Sequence, residues 1–179
     1  MSKPVIRPAT AADIAAITTI YAHAVQFGTA SFEIDPPDER EMASRFDALA
    51  DGGFPYLAAE FDGAVCGYAY AGPYRTRFAY RHTLEDSIYI APEFHGRGIG
   101  RALIDRLLTE SADRGFRQMI AVIGDSAQVA SIALHRTAGF RMVGTFEAVG
   151  LKFGRWLDTV LMQRALGPSA MDRGATTLP

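Results

Sequence analysis

The sequence predicts an α/β domain in which helices flank a mixed β-sheet, a fold with α+β character. Three observations support this class. The predicted elements follow the order strand, two helices, three strands, helix, strand, helix and two strands, whereas a Rossmann domain alternates strand and helix more regularly. A turn signal, Asp62-Gly63, joins two neighbouring strands into a hairpin. A glycine-rich loop then leads from an apolar strand directly into a helix with apolar periodicity.

The elements in the first half of the chain are predicted from caps, turns and hydrophobic spacing. Thr10 is a candidate helix N-cap with Asp13 three residues later, a shortened capping box, and Gly28 is expected to end that helix. Pro36 and Pro37 break the chain before a second helix. The predicted elements are a strand at 5–7, helices at 10–28 and 38–49, and strands at 56–61 and 65–71.

The second half begins with an apolar strand at 85–91, followed by the glycine-rich loop. The next helix should bury Leu103, Leu107 and Leu108 and end at Gly115. The continuous apolar run at 119–123 predicts a central strand covered on both faces. The remaining predicted elements are a helix at 127–137 that stops at Gly139, and late strands at 142–148 and 158–162.

Length and composition limit the classes of function. A chain of 179 residues fits one domain, which we place at 1–166, followed by a flexible C-terminal tail at 167–179 that lacks periodicity. The net charge of -2 argues against a nucleic-acid-binding surface or a polybasic membrane anchor. Cys66 has no partner for an internal disulfide, and no segment resembles a signal peptide or a membrane span. These features predict a soluble, cytoplasmic protein.

The glycine-rich loop is the most informative segment. It runs through His95, Gly96, Arg97, Gly98, Ile99, Gly100 and Arg101. Backbone N–H groups at glycines beside a helix N-terminus form a binding site for a phosphate or pyrophosphate. The glycine spacing fits neither G-x-x-x-x-G-K-[ST] nor G-x-G-x-x-G. The alternative is a plain helix-start loop, although three glycines weaken a loop that holds no ligand. Arg97 and Arg101 either add charge towards the phosphates or are solvated surface residues.

Several motifs resemble those of the GNAT N-acetyltransferases. The loop resembles their acyl-CoA loop, [QR]-x-x-G-x-[GA], with His95 at the first position. Residues 131–140 keep the frame A-x-x-L-Y-x-x-x-G-F, with His135 where the tyrosine stands. A histidine at this position, together with the motif E-x-S-[VI]-Y before the loop, resembles the pattern of one subgroup, the phosphinothricin and methionine sulfone or sulfoximine acetyltransferases. The resemblance extends over about 5–163.

The resemblance implies the GNAT acyl-CoA N-acyltransferase fold, with a central, mostly antiparallel sheet, and acetyl-CoA as co-substrate without a metal. It also implies that the sheet splays beside strand 85–91, so that backbone groups there pair with the pantetheine arm. The residues expected to bind the co-substrate are Ile88, Tyr89, Ile90, His95, Gly96, Arg97, Gly98, Ile99, Gly100, Arg101 and Gln128. Gln128 stands where the family commonly has an asparagine.

Glu85 and His135 are the candidate catalytic residues. Strand alternation places Glu85, Ser87 and Tyr89 on one face and Asp86, Ile88 and Ile90 on the other. Partial burial would raise the pKa of Glu85 and make it a better base, directly or through water, whereas the pattern alone favours a solvated strand-end carboxylate. For His135 the purely structural interpretation is a half-buried histidine on a helix. The resemblance instead implies an imidazole beside the thioester sulfur, as acid towards the thiolate or base towards the amine.

The substrate pocket is expected to contain arginine, because guanidinium groups bind a carboxylate bidentately. The resemblance implies that residues 74–77 form the substrate loop, and the alternative is a hairpin loop with two solvated arginines. Residues 29–33 are a second candidate wall, with Phe32 expected to be a core aromatic. The predicted substrate-binding residues are Arg75, Thr76, Arg77, Glu85, Asp86 and Ser87.

The resemblance therefore predicts acetyl transfer from acetyl-CoA to the α-amino group of a small amino-acid analogue, namely phosphinothricin, methionine sulfone or methionine sulfoximine. The alternatives are acetylation of another amine (a protein N-terminus, a polyamine or an aminoglycoside) and a CoA-binding sensor without turnover. Arg75 and Arg77 argue against polycationic substrates. The apolar late strands and the family imply a homodimer, and no nucleic-acid or membrane partner is expected.

Overall fold

The computed structural model describes residues 3–167 and 170. Within these residues the chain forms seven β-strands and four α-helices, in the order that the sequence predicts. The elements are β1 (Val5–Pro8), α1 (Ile14–Phe27), α2 (Glu39–Asp51), β2 (Tyr56–Phe61), β3 (Ala64–Pro73), β4 (Thr83–Ile90), α3 (Ile99–Asp113), β5 (Gln118–Gly124), α4 (Val129–Thr137), β6 (Arg141–Lys152) and β7 (Arg155–Ala165).

The strands form one mixed sheet in the order β1-β2-β3-β4-β5-β7-β6. β4 and β5 are parallel, since α3 carries the chain back across the sheet between them, and the other neighbouring pairs are antiparallel. β2 and β3 form the hairpin that Asp62-Gly63 indicates, with both turn residues at positive φ. The mixed, mostly antiparallel sheet is therefore confirmed.

Helices cover the two faces of the sheet with separate apolar clusters. α3 buries Leu103 and Leu107 completely against one face, as its spacing predicts. α1 and α2 cover the other face over β2, β3 and β4, where Ile17 and Tyr68 are buried. The entry to α1 is a short 3₁₀ turn, Ala11–Asp13, in which the predicted capping box is present.

Two predictions about the centre of the chain are wrong in part. β5 is covered on one face only: Met119, Ala121 and Ile123 are buried, whereas Ile120 and Val122 are half-buried. The reason is that α1 and α2 pack over β2, β3 and β4 and leave this face of β5 open.

The second difference is the start of α4, which begins at Val129 and not at residue 127. Asp125 adopts a left-handed conformation, and its carboxylate accepts a hydrogen bond from the Ala127 N–H at 2.9 Å. This Asp side chain holds the backbone in a turn, which delays the helix.

The end of the domain also differs from the prediction. β6 and β7 are longer than the late strands predicted, because they continue as one hairpin to a turn at Phe153-Gly154, with irregular register in β6. Ala170 is buried, and its carbonyl accepts a hydrogen bond from the side chain of Gln118. The other tail residues, 168, 169 and 171–179, lie outside the described residues, so the flexible tail stays a prediction. In the described part of the chain no helix has the length and apolar character to cross a membrane.

Candidate active site

A cleft of about 650 Å³ opens where β4 and β5 separate. The two strands are paired only as far as Asp86 and Ala121. β4 then continues to Ile90 and β5 to Gly124 without pairing to each other, although β4 keeps its other neighbour, β3, up to Ile90. The edge of β4 over 87–90 therefore presents backbone groups towards the cleft. This is the splay that the resemblance implies.

The glycine-rich loop lies at one end of this cleft. Gly96 and Gly98 both have positive φ, 73° and 78°, which explains why glycine occupies these positions. At Gly100 a Cβ would lie 3.1 Å from the Ile90 side chain, so glycine lets the start of α3 pack closely on β4. The hydrogen bond from Ala102 N–H to Gly98 O opens the ladder of α3. The N–H groups before it have no helical acceptor and are suited to bind an anion.

The basic side chains of the loop make hydrogen bonds within the protein itself. His95 Nε2 donates to the Ile90 carbonyl at 3.0 Å. The guanidinium of Arg97 packs over the ring of Phe94 and donates to a backbone carbonyl. Arg101 pairs with Asp105 at 2.6 Å and also donates to the Thr137 carbonyl. An anion at this loop would consequently depend on the backbone N–H groups more than on free cationic side chains.

Glu85 projects from β4 on the side of α1 and α2, at a position still paired with β3 and β5. It is half-buried, and this burial raises the pKa of its carboxyl group, although the charge of Arg75 acts in the opposite direction. Arg75 is exposed and stacks on the ring of Tyr74 at 4.3 Å. Glu85 is thus a carboxylate that binds a proton more readily than an ordinary one.

His135 and Asp86 form a buried pair on the opposite face of β4. His135 Nε2 lies 2.9 Å from Asp86 Oδ2, and the two side chains are only 5% and 2% exposed. The Nδ1 atom lies 2.7 Å from the backbone carbonyl of Ser131, and the ring packs edge-on against Phe140. Burial alone would lower the pKa of His135, but the hydrogen bond and the charge of Asp86 outweigh it, so this pKa is raised. His135 is more deeply buried than the half-buried helix histidine expected.

The predicted substrate residues separate into two groups. Asp86 and Ser87 line the cleft. Arg75, Thr76 and Arg77 are exposed in the connection between β3 and β4 and do not line it, and Glu85, on the other face of β4 from Asp86, does not line it either. Sequence reasoning placed Asp86 among the substrate residues and missed its contact with His135. The alternation along β4 was the available signal, because it already assigned Asp86 to the face away from Glu85.

Residues 29–33, which we call the α1–α2 loop, form part of the cleft wall through Ala30. Thr29 donates to Asp125 at 2.7 Å and accepts a hydrogen bond from the Gln128 side chain at 3.0 Å. Lys152, which is 3% exposed, donates to the Ser31 carbonyl at 2.7 Å. The loop is therefore fixed by the start of α4 and by the end of β6.

Phe32 holds the same loop by shape. Its ring lies over Gly124 and Gly150, where an added Cβ would approach ring atoms to 2.8 Å and 2.2 Å. Phe32 is 37% exposed, so it packs at the surface and is not the core aromatic expected. Sequence reasoning also missed Lys152. The available signal was composition, because Lys3 and Lys152 are the only lysines among 18 Lys and Arg residues.

No metal site is evident among the residues that the structure describes, since no three His, Cys, Asp or Glu side chains are grouped to hold an ion.

Known proteins are similar to this chain in both sequence and architecture. Residues 17–140 match the model of the acetyltransferase (GNAT) family. The chain is 54% identical over 167 residues to a phosphinothricin N-acetyltransferase of Alcaligenes faecalis, covering 93% of this chain and 82% of that protein. It is 41% identical over 165 residues to an L-methionine sulfoximine/L-methionine sulfone acetyltransferase of Salmonella typhimurium, covering 92% and 96%.

A solved structure gives the same result. The crystal structure of a GNAT superfamily phosphinothricin acetyltransferase from Sinorhizobium meliloti in complex with AcCoA matches with a TM-score of 0.93 and 49% identity. The match covers 98% of this chain and 94% of that one.

Proposed function

The chain belongs to the GNAT acetyltransferase family, and on this premise we propose that it transfers acetyl from acetyl-CoA to the α-amino group of a small amino-acid analogue. The proposed acceptors are phosphinothricin, methionine sulfone and methionine sulfoximine. The observation that carries the proposal is the 54% identity, over 93% of the chain, with a phosphinothricin N-acetyltransferase.

The cleft has the features that acetyl-CoA requires. Its pantetheine arm contains amide groups, and the unpaired edge of β4 at 87–90 supplies backbone partners for them. Its pyrophosphate is an anion, and the loop 95–101 supplies N–H groups at the N-terminus of α3. The bound co-substrate brings an acetyl thioester to the point where β4 and β5 separate.

The reaction that fits this arrangement is direct attack in a ternary complex. The amine nitrogen forms a bond to the acetyl carbonyl carbon, and the C–S bond of the thioester breaks. We assign removal of the amine proton to Glu85, because its half-buried carboxylate has a raised pKa, and it acts directly or through one water. His135 is the proposed second catalytic residue, beside the leaving sulfur.

Arg75 and Arg77 are the proposed partners of the acceptor's α-carboxylate. Arg75 is close enough to Glu85 for its charge to affect the pKa of that carboxyl group. An acceptor held there by its carboxylate would have its amine near the proposed base. The exposure of both arginines leaves their guanidinium groups accessible to a ligand.

We further propose a cytoplasmic homodimer. The exposed apolar side chains Phe146, Val149, Leu151, Phe153 and Trp156 follow the edge strand β6, its turn and the start of β7. An apolar sheet edge of this kind favours association, and a second copy presents a matching surface. A cytoplasmic location fits the single, buried Cys66. Light scattering on the wild type and on Leu151→Arg should give a dimer and a monomer, respectively.

The test of the function is CoA release, followed with a thiol reagent, across a panel of amines with acetyl-CoA. The panel contains phosphinothricin, methionine sulfone, methionine sulfoximine, ordinary amino acids, spermidine and a short peptide. Saturable turnover confined to the three tetrahedral-headed amino acids supports the proposal. Turnover with only spermidine or peptide rejects the substrate class, and binding of acetyl-CoA without any CoA release favours a sensor.

A further inference from the structure

We propose that Asp86 is a positioning residue that keeps an extra proton on the His135–Asp86 pair, so that the pair gives a proton to the leaving CoA thiolate and does not accept one from the amine. The chemical role rests on the proposed function. The protonation of the pair is a property of the free protein.

The first step concerns Nδ1 of His135. Its partner at 2.7 Å is the Ser131 backbone carbonyl, which can only accept a hydrogen bond. The Ser131 hydroxyl is farther away, at 3.5 Å. Nδ1 must therefore carry a proton in every state that keeps this contact. A neutral imidazole then has its lone pair on Nε2.

The second step concerns Nε2, which lies 2.9 Å from Asp86 Oδ2. If both groups lacked a proton here, two lone pairs would face each other in a site almost closed to solvent. A proton between them converts this repulsion into a charge-assisted hydrogen bond. The pair consequently holds one proton, as imidazolium with carboxylate or as neutral imidazole with a carboxylic acid.

The surroundings support a pair with no net charge. Among the described residues, Asp86 on β4 is the charged group in contact with the imidazole, while α4 contributes a carbonyl and Phe140 the edge of its ring. The raised pKa of His135 agrees with this, although burial opposes it. Asp86 Oδ1 is buried without a hydrogen-bond partner in this part of the chain. An isolated carboxylate would be costly at such a position, whereas a neutral pair is less so.

The third step assigns the direction of proton transfer. Glu85 and Asp86 are neighbours on β4 and project to opposite faces. The amine proton goes to Glu85 as the N–C bond forms. The C–S bond breaks with its electron pair on sulfur, and the thiolate takes the proton held by the pair. The pair is left as a carboxylate beside a neutral imidazole protonated on Nδ1. Glu85 then releases the amine proton to solvent and the pair takes one proton back from solvent, which restores both groups.

The experiment combines NMR on the free protein with pH profiles of turnover. The imidazole nitrogens are observed in ¹⁵N-histidine-labelled protein, with His135→Gln used to identify the signals, and the Asp86 carboxyl carbon is observed in ¹³C-aspartate-labelled protein. We expect Nδ1 to be protonated throughout and the extra proton to be present at pH 7. A pair without that proton at pH 7 would overturn the proposal, whether or not any amine is acetylated.

The variant Asp86→Asn tests the chemical role, with Asp47→Asn on the exposed face of α2 as the matched control. We expect Asp86→Asn to lower kcat by about 10²-fold or more. We also expect it to move the alkaline limb of the kcat profile and to shift the acid limb slightly to lower pH, because the charge of Asp86 raises the pKa of Glu85, while Asp47→Asn does neither.

An acid limb that shifts while the alkaline limb stays in place would show that the pair acts as base, against the proposal. An equal loss at every pH with no change in the profile would show that Asp86 has only a structural role. If the panel yields no turnover but the NMR finds the shared proton, the proposed function fails while the state of the pair stands.

Discussion

Replacing Gly150 with alanine should displace the α1–α2 loop and weaken acceptor binding. A Cβ at Gly150 would lie 2.2 Å from Phe32 Cε2, whereas ordinary contact begins at 3.4 Å. The Phe32 ring or the backbone at Gly150 must therefore shift, by about 1.2 Å in total, to restore ordinary contact (3.4 − 2.2 Å). The φ angle of Gly150 is not positive, so alanine at this position strains the contact with Phe32 and not the backbone. The loop that carries Phe32 also carries Ala30, which lines the cleft.

The expected effects follow from this displacement. Overpacking typically destabilises by about 1–3 kcal/mol, and the exposed part of the Phe32 ring favours the lower end, about 1 kcal/mol. A misplacement of roughly 1 Å in a binding wall can cost about 10²-fold in activity, so kcat/KM for the amine should fall by about 10–100-fold. The assays are urea unfolding and steady-state CoA release at varied amine concentration.

Gly144→Ala is the matched control, because it lies in the same strand and its added Cβ would meet nothing within 4 Å. The double variant Gly150→Ala/Phe32→Ala removes the clash. Its loss of unfolding free energy should therefore be smaller than the sum of the losses in the two single variants. If Gly150→Ala matched Gly144→Ala in both unfolding free energy and amine kcat/KM, the reasoning about the Phe32 ring would be refuted.

Three further changes test the site and the fold. Glu85→Gln should lower kcat/KM by about 10²–10⁴-fold and remove the acid limb, which in the wild type lies above the usual carboxyl range; full activity from pH 6 to 9 would exclude Glu85 as base. Lys152→Met leaves the Ser31 carbonyl without its donor. This loss costs about 1–3 kcal/mol of unfolding free energy, offset in part because a buried charge is removed, and it should raise the KM for the amine. Lys3→Met should change neither the unfolding free energy nor this KM. Asp13→Asn should cost about 2 kcal/mol at pH 7, since Arg7 lowers the pKa of Asp13 from 3.8 to about 2; urea unfolding should show this difference intact above pH 4 and shrinking as the pH falls towards 2, and a constant difference would contradict it.

Local patterns predicted most of the fold. The capping residues Thr10 and Asp13, the Asp62-Gly63 turn and the glycines before α3 each act over a few residues, and each is confirmed in the structure. The apolar run in β5 predicted the strand but not its open face, because a run of similar residues does not reveal which helices lie above it. The delayed start of α4 depends on one side-chain hydrogen bond that no periodicity contains.

The candidate site was less accessible to sequence reasoning. The glycine-rich loop and Glu85 stand out in the sequence, but Asp86 meets His135 across 49 positions and Lys152 meets Ser31 across 121. Such contacts depend on how α4 and the β6–β7 hairpin are placed on the sheet. The strand period gave the correct face for Asp86. It gave no information on which helix residue would occupy that face.

The alternation of side chains along β4 also places two acidic groups on opposite faces of the sheet. Glu85 and Asp86 are consecutive carboxylates, yet the backbone of a single strand stands between them, with α1 and α2 on one side and His135 on the other. Two acidic groups in one pocket would share protons and titrate together. Here the strand lies between the two carboxylates, so they share no proton, and Asp86 affects Glu85 only through its charge, which raises the pKa of Glu85. An insertion of one residue near position 85 would move each carboxylate to the opposite face of the strand, whereas a change in the length of the loop before β4 would leave both on their present faces.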